Sequence, residues 1–91
     1  MVAKLLRIHG LVQGVGYRES MRREAARLNL SGWVRNRRDG TVEALVCGNA
    51  TQVELIVEWA RQGSRIARVD RVIVAEAKTP ENHVFEVLFT E

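Results

Sequence analysis

Residues 4–28, KLLRIHGLVQGVGYRESMRREAARL, change hydrophobic period midway, and three glycines stand at the change. Over Lys4–His9 apolar and polar side chains alternate, with Leu6 and Ile8 on one face and Arg7 and His9 on the other. That period of two is the pattern of a half-buried strand. From Tyr17 onward the apolar positions fall at Met21, Ala25 and Leu28, spacings of four, four and three that share one helical face. Glu19, Arg22, Arg23 and Arg27 lie between them and turn mostly to solvent. Asn29 is suited to close the helix in a left-handed conformation. Gly10 to Gly16 is therefore a loop running from a strand into a helix N-terminus.

The rest of the chain extends the pattern. Leu30–Asn36 reads as a second strand, and Arg37-Arg38-Asp39-Gly40 as a hairpin turn, since Asp-Gly supplies the positive φ angles of tight turns. Thr41–Cys47 is a third strand with Val42, Ala44 and Val46 on one side. Thr51 and Glu54 suggest a capping box for a second helix, whose stripe is Val53, Ile56, Val57 and Ala60 and whose end is Gly63. Val69–Ala75 is a fourth strand and His83–Phe89 a fifth, with Phe85, Val87 and Phe89 alternating. The order predicts an α+β, ferredoxin-like β-α-β-β-α-β sandwich with an added C-terminal strand. Its sheet should be antiparallel-dominated with two helices on one face, in a single domain over residues 1–91. Such a fold does not decide function.

Composition narrows the classes. Of 91 residues, 46% are hydrophobic, and no apolar run approaches the ~20 residues of a membrane helix. The first twenty residues carry no secretory pattern, because Lys4, Arg7, His9 and Gln13 break the apolar patches. The lone cysteine, Cys47, has no intrachain partner, and His9 and His83 offer no metal-ligand spacing. The expectation is a cytoplasmic chain without membrane contact, cofactor or metal. Residues 1–46 carry nine Lys/Arg against four Asp/Glu, whereas residues 47–91 carry five against seven. Twelve of the fourteen basic residues are arginine, whose planar fork suits oxyanions. A basic N-terminal half fits a phosphate-bearing small molecule, a nucleic acid, or a solvated surface.

The Gly10–Gly16 loop favours the first. Its glycines allow sharp turns that leave consecutive N–H groups facing inward at a helix N-terminus, which attracts anions. Arg18, in the first helical turn, can add two parallel donors to the same oxygens. A Walker A loop would need glycine and lysine where Val15 and Gly16 stand, and a dinucleotide fingerprint would need glycine at Glu19. Asn36, before the hairpin, can both donate and accept hydrogen bonds, although asparagine there is commonly a turn former.

Two spaced stretches carry a family resemblance. Gly10-Leu11-Val12-Gln13-Gly14-Val15-Gly16-Tyr17-Arg18 resembles the first acylphosphatase signature. Gly32-Trp33-Val34-Arg35-Asn36, followed by Gly40-Thr41-Val42 and Gly48, resembles the second. Arg68-Val69-Asp70-Arg71-Val72 is similar to a short stretch the family carries at its fourth strand. The resemblance implies metal-independent hydrolysis of acyl phosphates to carboxylate and inorganic phosphate. It implies phosphate binding by the backbone of Gln13, Gly14, Val15, Gly16, Tyr17 and Arg18, with the Arg18 side chain on the phosphoryl oxygens. Asn36 would position the attacking water. Product phosphate would inhibit, and the chain would be a monomer.

Three positions depart from the family pattern. Tyr17 replaces a more usual phenylalanine, and its hydroxyl needs a partner. Arg37 stands where some members carry a small hydroxyl residue. Gly63-Ser64-Arg65-Ile66 lacks the prolines often found in that loop, which implies greater mobility. Cys47, His9 and His83 are read as strand residues, Trp33 and Trp59 as packing area, and Asp70 as a surface ion-pair partner.

The competing class is a basic ferredoxin-like nucleic-acid-binding module. Its central strands would display aromatic rings for stacking, and Lys4–His9 and Thr41–Cys47 contain none. A third reading is an acylphosphatase-like module serving carbamoyl transfer within a larger enzyme, for which a chain this short is not expected.

Overall fold

A computed structural model describes residues 1–81 and 83–91. The elements run β1 (Val2–Leu11), α1 (Tyr17–Arg27), β2 (Ser31–Asn36), β3 (Val42–Gly48), α2 (Ala50–Gln62), β4 (Arg68–Glu76) and β5 (Phe85–Val87). The sheet order is β4-β1-β3-β2-β5. All neighbours are antiparallel except β2 and β5, which run parallel.

The periodicities become one core. Leu6 and Ile8 of β1, Val34 of β2, and Val42, Ala44 and Val46 of β3 meet Tyr17, Met21 and Ala25 of α1 and Val53, Ile56 and Ala60 of α2. Each large side chain so buried contributes about 1.5–3 kcal/mol of hydrophobic stabilisation. Both helices cover this face, giving the α+β ferredoxin-like sandwich. Asn29 closes α1 at φ 57, as its type suggested. The turn at 37–40 is closed by Gly40 N–H donating to the Arg37 carbonyl at 3.1 Å.

Three expectations are corrected. The first helical turn of α2 is capped by Asn49, whose side chain accepts from Thr51 N–H at 3.1 Å, not by a Thr51–Glu54 box. The first strand is longer than Lys4–His9 because β4 pairs along it to Leu11. The fifth strand is shorter than His83–Phe89. Beyond Val87 the chain follows β2 through separate bonds, Leu88 N–H to Val34 O and Glu91 N–H to Asn36 O. At that edge no layer covers Phe89, which is 94% exposed.

Gly32 fixes the β2–β3 approach. Its φ is 131°, and a Cβ there would lie 1.8 Å from the Leu45 carbonyl oxygen. Gly32→Ala should therefore lower unfolding free energy by at least about 2 kcal/mol, read by urea titration. An unchanged midpoint would contradict this strand approach.

Candidate active site

The approach to α1 is built to leave donors unpaired. Gly14 and Gly16 have φ near 75°, and a Cβ on either would meet no atom within 4 Å. Gly16 is the N-cap of α1 and, lacking a side chain, provides no capping acceptor. The first intrahelical bond is Ser20 N–H to the Gly16 carbonyl at 3.0 Å, so the amides of Tyr17, Arg18 and Glu19 have no helical partner. The contrast with α2, capped by Asn49, is direct. A cavity of about 180 Å³ opens at this terminus, lined by Val12, Gly14, Gly16, Tyr17, Arg18, Glu19 and Val87.

Of the four arginines on α1, Arg22, Arg23 and Arg27 are ion-paired, whereas Arg18 has no ion pair among the described residues. Glu19 is the opposing charge. Arg22 bonds it at 2.8 and 2.5 Å and Arg23 at 3.3 Å, and the Arg22 bond chiefly holds its carboxyl at about 2. It stays ionised above that pH, but two guanidinium groups already balance it. The helix N-terminus and Arg18 leave this end of the site positive.

Side chains hold the loop in place. The Gln13 amide donates to the Arg37 carbonyl at 2.7 Å and the Thr41 carbonyl at 2.9 Å. Its side chain thus reaches the hairpin rather than the cavity. The Tyr17 ring is buried 5.3 Å from Trp59, and its hydroxyl donates to the Ala60 carbonyl at 2.8 Å. Burial pushes the Tyr17 phenol pKa up, so it remains a neutral donor. This supplies the partner that its hydroxyl required. Val15 packs on the core, and its carbonyl accepts from Ser64.

Asn36 is reached from the other side. On the sheet's open face, Arg35, Arg37 and Arg7 converge on the buried Glu43, at 2.9, 3.4 and 3.3 Å. Successive strand side chains alternate faces, so Asn36, between Arg35 and Arg37, turns toward the helix-covered side with Val34. It is 9% exposed, and its Oδ1 is buried without a hydrogen-bond partner. Asn36 is not part of the cavity wall. It is the residue next to Arg37, whose carbonyl Gln13 holds.

The structure thus gathers Gly14, Gly16, Tyr17 and Arg18 around one cavity and ties Asn36 to the same loop. Sequence reading missed the Gln13 link and the Glu43 cluster, because side-chain direction between distant segments has no local period. Val87 in the wall was in view only as part of the alternating fifth strand. Among the described residues, no group of three His, Cys, Asp or Glu side chains could hold a metal ion. Among the described residues, no helix is long and apolar enough to cross a membrane.

A model of the acylphosphatase family matches residues 4–87. An acylphosphatase of Acidovorax sp. (strain JS42) is 55% identical over 85 residues, covering 93% of this chain and 88% of that one. The crystal structure of acylphosphatase from Bacillus subtilis superposes with TM-score 0.91 at 36% identity, covering 97% of this chain and 99% of that one. Full-length HypF, in a phosphate- and nucleotide-bound form, matches at TM-score 0.89 and 26% identity over 98% of this chain but 12% of its own. The family match and the fold together place the chain among small α+β hydrolases. The chain belongs to the acylphosphatase family, and its activity is hydrolysis of acyl phosphates.

If the Gln13 link sets the distance between cradle and Asn36, Gln13→Ala should cost about 1–2 kcal/mol of stability. It should also lower kcat/KM about 10–100-fold in the folded protein, because small misplacements are costly in catalysis. Benzoyl phosphate hydrolysis beside urea unfolding separates the effects. An unchanged kcat/KM would show that the link does not set the site.

Proposed function

We propose that the amides from Gln13 to Arg18 and the Arg18 guanidinium hold the phosphoryl group of an acyl phosphate while Asn36 orients the attacking water. The water oxygen bonds to phosphorus, the bond from phosphorus to the acyl oxygen breaks, and the carboxylate leaves with the electron pair. Carboxylic acids have pKa ~4, so this leaving group needs little general-acid help. Positioning and charge stabilisation then supply most of the catalysis, and no metal takes part.

One observation carries the water assignment. Asn36 Oδ1 and Gln52 Oε1 are buried side-chain oxygens without a partner among the described residues. Only Asn36 lies beside a residue tied to the cradle. Its oxygen has no partner among the described residues, so a water admitted beside it would find an acceptor there and turn a lone pair toward phosphorus. The chain works on this reading as one domain over residues 1–91, a cytoplasmic monomer inhibited by its product phosphate. The nucleic-acid reading meets engaged groups instead: Arg35 lies 4.6 Å over the Trp33 ring, and Arg7, Arg35 and Arg37 are paired with Glu43.

Paired substitutions separate the roles. Arg18→Lys should keep the fold, weaken phosphate inhibition and lower turnover at least ~100-fold, about 2.7 kcal/mol. Asn36→Ala should lower kcat strongly and leave KM and the phosphate inhibition constant within a few-fold. A rise in both constants with kcat unchanged would make Asn36 a substrate-binding residue instead.

A further inference from the structure

The turn after α2 touches the cradle loop at two points. Gly63 has φ 75°, and a Cβ there would lie 2.7 Å from Cε2 of the Tyr17 ring. Only glycine lets the chain pass this close to Tyr17 in that conformation. The next residue, Ser64, donates its hydroxyl to the Val15 carbonyl at 2.8 Å. Its own carbonyl accepts from Ala67 N–H at 3.0 Å, and Gly63 N–H donates to the Trp59 carbonyl at 2.8 Å. The hydroxyl is thus presented from a backbone fixed on both sides.

A trans peptide is planar, with its carbonyl and N–H pointing oppositely. Val15 O and Gly16 N–H belong to one such peptide, and there is no cis bond among the described residues. A carbonyl held toward Ser64 turns the Gly16 N–H away from it. Gly16 lines the cavity, whereas Val15 and Ser64 do not. Without that hold, the peptide between a non-glycine residue and a permissive glycine could rotate and aim its carbonyl at the anion.

We propose that Ser64 is a positioning residue for phosphate binding, fixing the Val15–Gly16 peptide so that its N–H, not its carbonyl, faces the phosphoryl oxygens. This rests on the cradle reading above. Ser64 touches no reacting atom, so its effect falls on affinity more than on the chemical step. Ser64→Ala raises the phosphate inhibition constant and KM about five- to tenfold, with a smaller change in kcat. Ser64→Thr keeps the hydroxyl and restores both constants. A purely structural role would lower the melting temperature and leave the inhibition constant unmoved.

The test is titration of the full chain and both variants with inorganic phosphate, following the Gly16 amide by NMR beside the inhibition constant. The expected result is a large Gly16 shift in the unsubstituted chain, a weaker-binding and smaller shift in Ser64→Ala, and recovery in Ser64→Thr. Equal affinity and equal Gly16 response in Ser64→Ala would overturn the role of Ser64 and leave the cradle standing. No Gly16 response in the unsubstituted chain would overturn the cradle and this proposal with it.

Discussion

Backbone amides hold an anion only where the chain offers them nothing else to bond. In a folded protein that condition is costly, because buried N–H groups without partners destabilise by about 1–3 kcal/mol each. Here a glycine N-cap without a side chain leaves the first turn of α1 uncapped, and that turn opens on a cavity. Asn49 shows the ordinary solution on α2, where its carboxamide closes the same kind of terminus. The two helices are therefore capped for different ends. One cap closes its helix; the other leaves the terminus without a side-chain acceptor, open to a ligand on the proposed reading.

Keeping a loop that contains Gly14 and Gly16 in one conformation requires anchors from outside it. Gln13 fastens its start to the β2–β3 hairpin, Ser64 its middle carbonyl, and Tyr17 its end through Ala60 and the Trp59 ring. The hairpin is fixed in turn from the open face, where Glu43 gathers Arg7, Arg35 and Arg37. Those pairs hold the residues on both sides of Asn36 to one face and thereby send Asn36 to the other. On the proposed reading, phosphate affinity and water orientation would depend on different anchors joined through Gln13.

The parts legible in the sequence were those with a local period or local chemistry. The strand before Gly10, the stripe from Tyr17 to Leu28, the left-handed Asn29 and the Asp39-Gly40 turn each follow from residues within a few positions. Arg18 and Asn36 are candidates from their places at the glycine loop and the hairpin, and the two signatures imply their roles. What stayed hidden depends on contacts across the chain. The fifth strand shrank because an edge strand's length depends on its neighbour, and β2 pairs regularly with only Phe85–Val87. The α2 cap moved from Thr51 to Asn49 because two suitable cap residues stood two apart and the chain entered at the earlier one. Gln13 was read as a backbone contributor, since nothing local shows that its side chain reaches residues 37 and 41.

The most direct measurement is a crystal structure of the chain with inorganic phosphate bound. The expected result places the phosphate against the amides from Gly14 to Arg18 with two oxygens on the Arg18 guanidinium. A water on Asn36 Oδ1 should stand about 3–3.5 Å from phosphorus, opposite one phosphate oxygen. Phosphate bound instead among Arg7, Arg35 and Arg37 on the open face, or coordinated directly by Asn36 with no water between, would contradict it.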